Sequence, residues 1–245
     1  MKRSFLIVGG SSDIAIILGK RILDNGDNLT LLVRDSARVS ELANLGANIV
    51  VGDGLDEEIV SYSVDAAKEL GLGKIDGVVH LIGSLALRPP HAMGVDSFEE
   101  VIRTNLTSSF LTLSKSAKAM LRNQTGRIVF TSSVAGSLGL VNHEAIAAAK
   151  AGVEGLVKSA AATYSKNNIR VNAIALGLVE SNLSKSIFSN DMSLEISRKM
   201  HSIGRVGTPQ NVSKFVIPLI ADKTSWVTGS VINIDGGLST TKIAS

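Results

Sequence analysis

The feature that most constrains this chain is a repeated alternation. Continuous apolar runs of strand character lie at 4–8, 28–33, 48–51, 77–81, 127–131, 170–176 and 231–234. Segments with helical spacing separate them, at 13–25, 39–45, 57–70, 98–122, 144–164 and 209–220. Most of the strand runs are apolar at every position, which is how a strand reads when both its faces are covered. The pattern predicts an α/β fold: one doubly wound domain over residues 1–245, with a seven-stranded, mostly parallel sheet and helices on both faces. Thr208 and Pro209 read as the N-cap and first position of the last helix. No repeat, low-complexity tract or linker breaks the rhythm. Two longer irregular stretches do, 83–97 and 177–207, and long loops in a compact domain often serve as lids or binding loops.

Composition excludes several classes of function. There is no Cys, hence no disulfide, thiolate zinc site or cysteine nucleophile. The four His, at 80, 91, 143 and 201, are too scattered to suggest a metal cage. Twenty-five basic and 22 acidic residues leave a net charge of +3, and no run of Lys or Arg exceeds two. Nothing here resembles a tract for nucleic acid or an anionic membrane. The apolar opening stops at Gly9 and Gly10, too short for a signal-peptide core, and no apolar run reaches membrane-spanning length. The expectation is a cytoplasmic protein acting on a small molecule.

The first strand runs into Gly9-Gly10-Ser11-Ser12-Asp13-Ile14-Ala15 and then a helix. Glycine allows the tight turn and close backbone approach that a pyrophosphate needs. The helix start adds free N–H groups and positive partial charge. This context predicts dinucleotide binding at the first turn. The second strand ends Leu31-Leu32-Val33-Arg34-Asp35. An acidic residue at that strand end accepts the ribose hydroxyls of NAD, whereas an Arg there meets the 2′-phosphate of NADP. Apolar Val33 followed by Arg34 favours NADP(H).

With these motifs in order, the chain resembles the short-chain dehydrogenase/reductase family over essentially its whole length, which implies a Rossmann fold. The first turn looks like the family's phosphate turn, and Asp53 matches the Asp that touches adenine. The segment from Asp76 to Gly83 stands where the family has its Asn-Asn-Ala-Gly strand. Asn105 matches the helix-bending active-site Asn, Ser133 the catalytic Ser and Lys150 the catalytic Lys. Further signatures are Asn168-Ile169-Arg170-Val171-Asn172-Ala173-Ile174 and Asn233-Ile234-Asp235-Gly236-Gly237. The resemblance implies a cofactor site formed by Gly9, Ser11, Ser12, Asp13, Ile14, Arg34, Asp53, Gly83, Lys150, Gly177 and Val179. It also implies a homotetramer in which the helices at 98–122 and 144–164 pair between subunits, with a second interface near 237–245.

The departures are as informative as the matches. The family's proton donor is a Tyr four residues before the Lys, and here that position is Ile146. Losing one positioned general acid costs roughly 10² to 10⁴ in rate. Enoyl-acyl-carrier-protein reductases of the family carry their Tyr seven residues before the Lys, which here is His143. That subgroup also tends to read His-Ser-Ile-Gly in the fourth strand, and this chain has His80-Leu81-Ile82-Gly83. His143 or an ordered water is therefore the candidate substitute acid, and His80 is expected to pack or hydrogen-bond near the cofactor. Asp13 replaces the middle Gly of the phosphate turn and Ala15 the last. A carboxylate there suits the helix dipole but opposes a pyrophosphate, by about 2 kcal/mol at ~8 Å and an effective dielectric near 20. The implied activity is an NADP(H)-dependent reductase of carbonyl or enoyl substrates, acyl thioesters among them. The alternatives are a non-catalytic nucleotide-binding or scaffold protein, and an elimination or isomerisation that needs no phenol.

Overall fold

The structure, a computed structural model, describes residues 2–221 and 223–242. Its strands are β1 (Ser4–Val8), β2 (Asn28–Val33), β3 (Asn48–Val51), β4 (Gly77–His80), β5 (Gly126–Ser133), β6 (Ile169–Leu176) and β7 (Val231–Ile234). They form one seven-stranded sheet in the order β3-β2-β1-β4-β5-β6-β7. Every pairing among them is parallel, so the sheet goes beyond the mostly parallel expectation. The order reverses between β1 and β4, which opens a crevice at the carboxyl ends of the strands.

The helices are α1 (Asp13–Asp24), α2 (Ser40–Asn44), α3 (Glu57–Leu70), α4 (Val95–Ile102), α5 (Ser108–Leu121), α6 (Glu144–Tyr164), α7 (Lys185–Phe188), α8 (Asp191–Met200) and α9 (Pro209–Ile220). Two buried cores explain why the strands read as unbroken apolar runs. Leu6 and Val8 of β1 join Val64 of α3, Met120 of α5 and Val157 of α6 on one face. Phe5 and Ile7, one residue out of phase, join Leu18 and Ile22 of α1 and Val216 of α9 on the other. Side chains alternate across a strand, so each strand must be apolar on both parities.

Three sequence expectations are corrected. The single helix over 98–122 is instead α4, a π-turn (Arg103–Thr107) and α5. The cause is Asn105, whose Nδ2 donates to the Val101 carbonyl at 3.0 Å; a side chain inserted into the helical ladder widens it. The segment at 39–45 opens with a 3₁₀ turn (Ala37–Val39) before α2. The stretch at 177–207 is not irregular throughout but holds α7 and α8. In α8 the Asn190 side chain caps Ser193 N at 2.9 Å, Asp191 sits in the first turn, and Arg198 and Lys199 in the last. Its apolar residues Met192, Ile196 and Met200 face outward, so it lacks the buried stripe that marks a helix in sequence. Among the described residues, no helix is long and apolar enough to cross a membrane.

Candidate active site

A cleft of about 520 Å³ opens at the carboxyl ends of the central strands and runs from the first turn to α6. At its first end, Gly9 adopts φ +85°, and a Cβ there would stand 2.9 Å from the backbone N of Ile82. Only glycine lets the turn lie this close to the end of β4. Ser12 caps α1, its Oγ accepting from Ala15 N at 3.2 Å. Ser11, Ile14 and Asp53 line the cleft too, the Asp53 carboxylate accepting from Leu55 N at 2.9 Å.

Past the end of β2, Arg34 is exposed, lines the cleft, and makes no ion pair or hydrogen bond among the described residues. Arg38 also lines the cleft but is engaged, its Nη2 lying 3.1 Å from Asp13 Oδ1. The same carboxylate accepts from Asn182 N at 2.7 Å and from Asn182 Nδ2 at 3.0 Å. Asp13 thus ties the start of α1 to the segment after β2 and to the segment after β6.

The other end of the cleft is built by β5, the π-turn and α6. β5 ends in Ser133, whose Oγ accepts from Ala135 N at 3.2 Å and keeps its own proton free to donate. Ile146 and Lys150 project from successive turns of α6, and both line the cleft. Lys150 is 5% exposed, and its Nζ donates to the Thr131 carbonyl at 2.8 Å. No carboxylate pairs with it among the described residues, and burial pushes its ammonium down to about 8. Asn105 is fully buried; its Nδ2 donates to Ser84 Oγ at 2.9 Å and its Oδ1 accepts from Ser84 N at 3.2 Å. Gly83 fits between Asn105 and Lys150: a Cβ there would stand 3.1 Å from Asn105 Oδ1 and 3.7 Å from Lys150 Nζ.

His80 is sealed behind this end. Its ring nitrogens meet Thr112 Oγ1 at 2.9 Å and Ser108 Oγ at 3.1 Å. Burial, with the Lys150 charge added, pushes it down to about 3, so the ring stays neutral. Neither Tyr62 nor Tyr164 lines the cleft. Ile146 is 3% exposed and packs with Val101, Ala135, Ala145 and Ala149. Position 146 therefore presents hydrocarbon to this end of the cleft.

Gly177 and Val179, just beyond β6, line the cleft too, so the residues singled out in the sequence converge here with one exception. His143 is not brought into the cleft. It stands at the N-cap of α6, where its Nδ1 donates to the Val141 carbonyl at 2.7 Å and draws the ring back over its own loop. The sequence reading missed three residues that shape the cleft. Arg38, four residues after Arg34, was available as a basic partner for the same region. Asn182 carried no signal. His201 is 2% exposed and holds the cleft wall from behind. Its Nδ1 donates to the Ser197 carbonyl at 2.6 Å and its Nε2 accepts from Leu178 N at 3.2 Å.

Fold and site together define a nucleotide-binding oxidoreductase architecture, and comparison with known proteins makes the family plain. The family model described as enoyl-(acyl carrier protein) reductase matches residues 9–239. The chain belongs to the short-chain dehydrogenase/reductase family. It is 29% identical to the 3-oxoacyl-[acyl-carrier-protein] reductase MabA of Mycobacterium tuberculosis, over 97% of this chain and 93% of that protein. It is 31% identical to an inactive 2-(S)-hydroxypropyl-CoM dehydrogenase of Xanthobacter autotrophicus, over 87% of this chain and 96% of that one. An actinorhodin polyketide ketoreductase variant solved with NADPH superposes with a TM-score of 0.90 at 26% identity, covering 98% of both chains.

Proposed function

We propose that this protein is an NADP(H)-dependent reductase of carbonyl or enoyl substrates, acyl thioesters in the first place, working without the family's phenolic acid. The observation that carries the reading is Lys150: a buried ammonium without a carboxylate partner, in the same cleft as Ser133 and the glycine turn. A buried unpaired cation is costly and is retained where it acts. Gly9, Ser11, Ser12 and Ile14 would hold the pyrophosphate, Asp53 the adenine and Arg34 the 2′-phosphate. Gly83, Gly177 and Val179 would flank the nicotinamide, and Lys150 its ribose. The bound nicotinamide would supply hydride. Among the chain's own groups, Ser133 Oγ would donate to the substrate oxygen and orient it. Ile146 has no proton to give and His143 is turned away, so the oxygen's proton would come from Lys150 or from water that the ammonium polarises. Asn105 would keep the π-turn, and with it Gly83 and Ser84, in register.

Relatives named as 3-oxoacyl-[acyl-carrier-protein] reductases favour a ketone at position 3 of an acyl thioester. A second reading, a protein that binds the dinucleotide and does not turn over, is favoured by Ile146 and by a relative named as inactive. Incubation with NADPH and matched 3-oxoacyl and 2-enoyl thioesters, with products identified by mass, separates the two. Slow accumulation of a hydroxyacyl or saturated product supports the reductase. NADPH binding with neither product supports the second reading.

We also propose a homotetramer. Phe110 and Leu121 of α5 are exposed and, with Leu113 and Tyr164, edge a shallow apolar depression. The end of the second expected interface, at 243–245, lies outside the described residues.

A further inference from the structure

The two arginines at the nucleotide end of the cleft are in opposite states. Arg34 is free, while Arg38 is held by Asp13. Asp13 is one of two residues, with Ala15, that depart from the family's glycine pattern, and its carboxylate does not simply project toward an incoming anion. Four donor contacts absorb it: Arg38 Nη2, Asn182 N, and Asn182 Nδ2 to both oxygens at 3.0 and 3.2 Å. The bonded residues come from three separate segments, and all three line the cleft. The Asp13 and Arg38 side chains are 27% and 40% exposed, so the pair can exchange partners without breaking a sealed core.

We propose that Asp13 sets cofactor discrimination by acting as an internal anion that occupies Arg38. This rests on the reading of the cleft as an NADP(H) site. A ligand carrying a phosphate beside Arg34 competes with the Asp13 carboxylate for Arg38, and one carrying a hydroxyl there does not. The dianionic phosphate gains the Arg38 Nη2 donor, and the undivided charge of that guanidinium, only by displacing Asp13. A ligand without that phosphate leaves the Asp13–Arg38 pair intact. Asp13 therefore holds back the preference that Arg34 confers. An exposed ion pair of this kind is weak and a hydrogen bond to a charged group adds to it, so the restraint is modest, a few-fold in affinity.

The test is a titration of the full chain with NADPH, NADH and adenosine 2′,5′-bisphosphate, read by nucleotide fluorescence or calorimetry at low and high salt. Asp13→Asn keeps the side-chain volume and removes the charge. It is expected to tighten NADPH and the bisphosphate by about three- to tenfold at low salt, with the gain shrinking at high salt, and to leave NADH within about twofold. In an Arg38→Ala background the same substitution should produce no gain. Equal tightening of NADPH and NADH would overturn the proposal, because it would mean repulsion of the shared pyrophosphate. Unchanged or weaker NADPH binding would overturn it too, as would a gain that survives Arg38→Ala. If the unmodified protein binds neither NADPH nor the bisphosphate, the cofactor reading itself fails.

Discussion

The two ends of the cleft differ in their chemistry. At the nucleotide end, the sequence supplies more ionic groups than the turn requires: a free Arg34, and Arg38 balanced by Asp13. At the other end, Ile146 packs among alanines and Val101, where the proposed reductase would need its proton donor. Ser133, Lys150 and Asn105 remain around it. On the proposed reading Lys150 serves both ends, whereas Arg34 and Ile146 each belong to one, so each end is open to its own substitution.

The sharpest break of that contrast is Ile146→Tyr. A phenol one helical turn from Lys150 would stand close enough for the ammonium to lower its pKa. Turnover of carbonyl substrates is expected to rise by up to roughly 10² to 10⁴, with NADPH affinity little changed. Ile146 is nearly sealed, so overpacking is expected to cost about 1–3 kcal/mol, visible as a lower denaturation midpoint. No gain in kcat from a folded variant would show that more than the phenol is missing.

The nucleotide end is broken by Arg34→Ala. Loss of a charge-assisted contact is worth roughly 1.5–3 kcal/mol, so NADPH affinity should fall about ten- to hundredfold while NADH affinity holds. Equal losses for both, measured by calorimetry, would place Arg34 away from the discriminating phosphate.

The smallest effect concerns stability. Lys150 titrates at about 8 in the fold against an ordinary 10.5, so between those values the unfolded chain binds more protons. Stability therefore rises with pH across that window, and the buried charge costs most below it. Lys150→Met is expected to stabilise the free protein at pH 7 by about 1–3 kcal/mol in denaturant unfolding, and to lose that advantage near pH 10.5. A destabilised Met variant at pH 7 would mean that the Thr131 contact outweighs the burial.

Legibility in the sequence followed the same division. The strands and major helices could be read because each buries a regular face, as β1 does with Leu6 and Val8 on one side and Phe5 and Ile7 on the other. Helical spacing hid the π-turn because it depends on a single side-chain bond from Asn105 to Val101, and only the resemblance, with its helix-bending Asn, pointed to a distortion there. α8 was hidden because its apolar residues face outward. At the site, residues that follow strand ends could be located through the family motifs they resemble. Asn182 and His201 could not: Asn182 reaches Asp13 across 169 residues of chain, and His201 acts through the backbone N–H of Leu178. Spacing to Lys150 pointed to His143, but a bond of its ring to the Val141 carbonyl, two residues back, turns the ring elsewhere.

The proposed function requires that dinucleotide binding persist without a phenol at position 146. Its most direct test is to measure, on one preparation, the NADPH dissociation constant and the single-turnover rate of NADPH oxidation with a 3-oxoacyl thioester. Binding is expected in the ordinary range for such a cleft, together with a rate roughly 10² to 10⁴ below that of the Ile146→Tyr variant. Fast oxidation by the unmodified protein, or no NADPH binding at all, would contradict it.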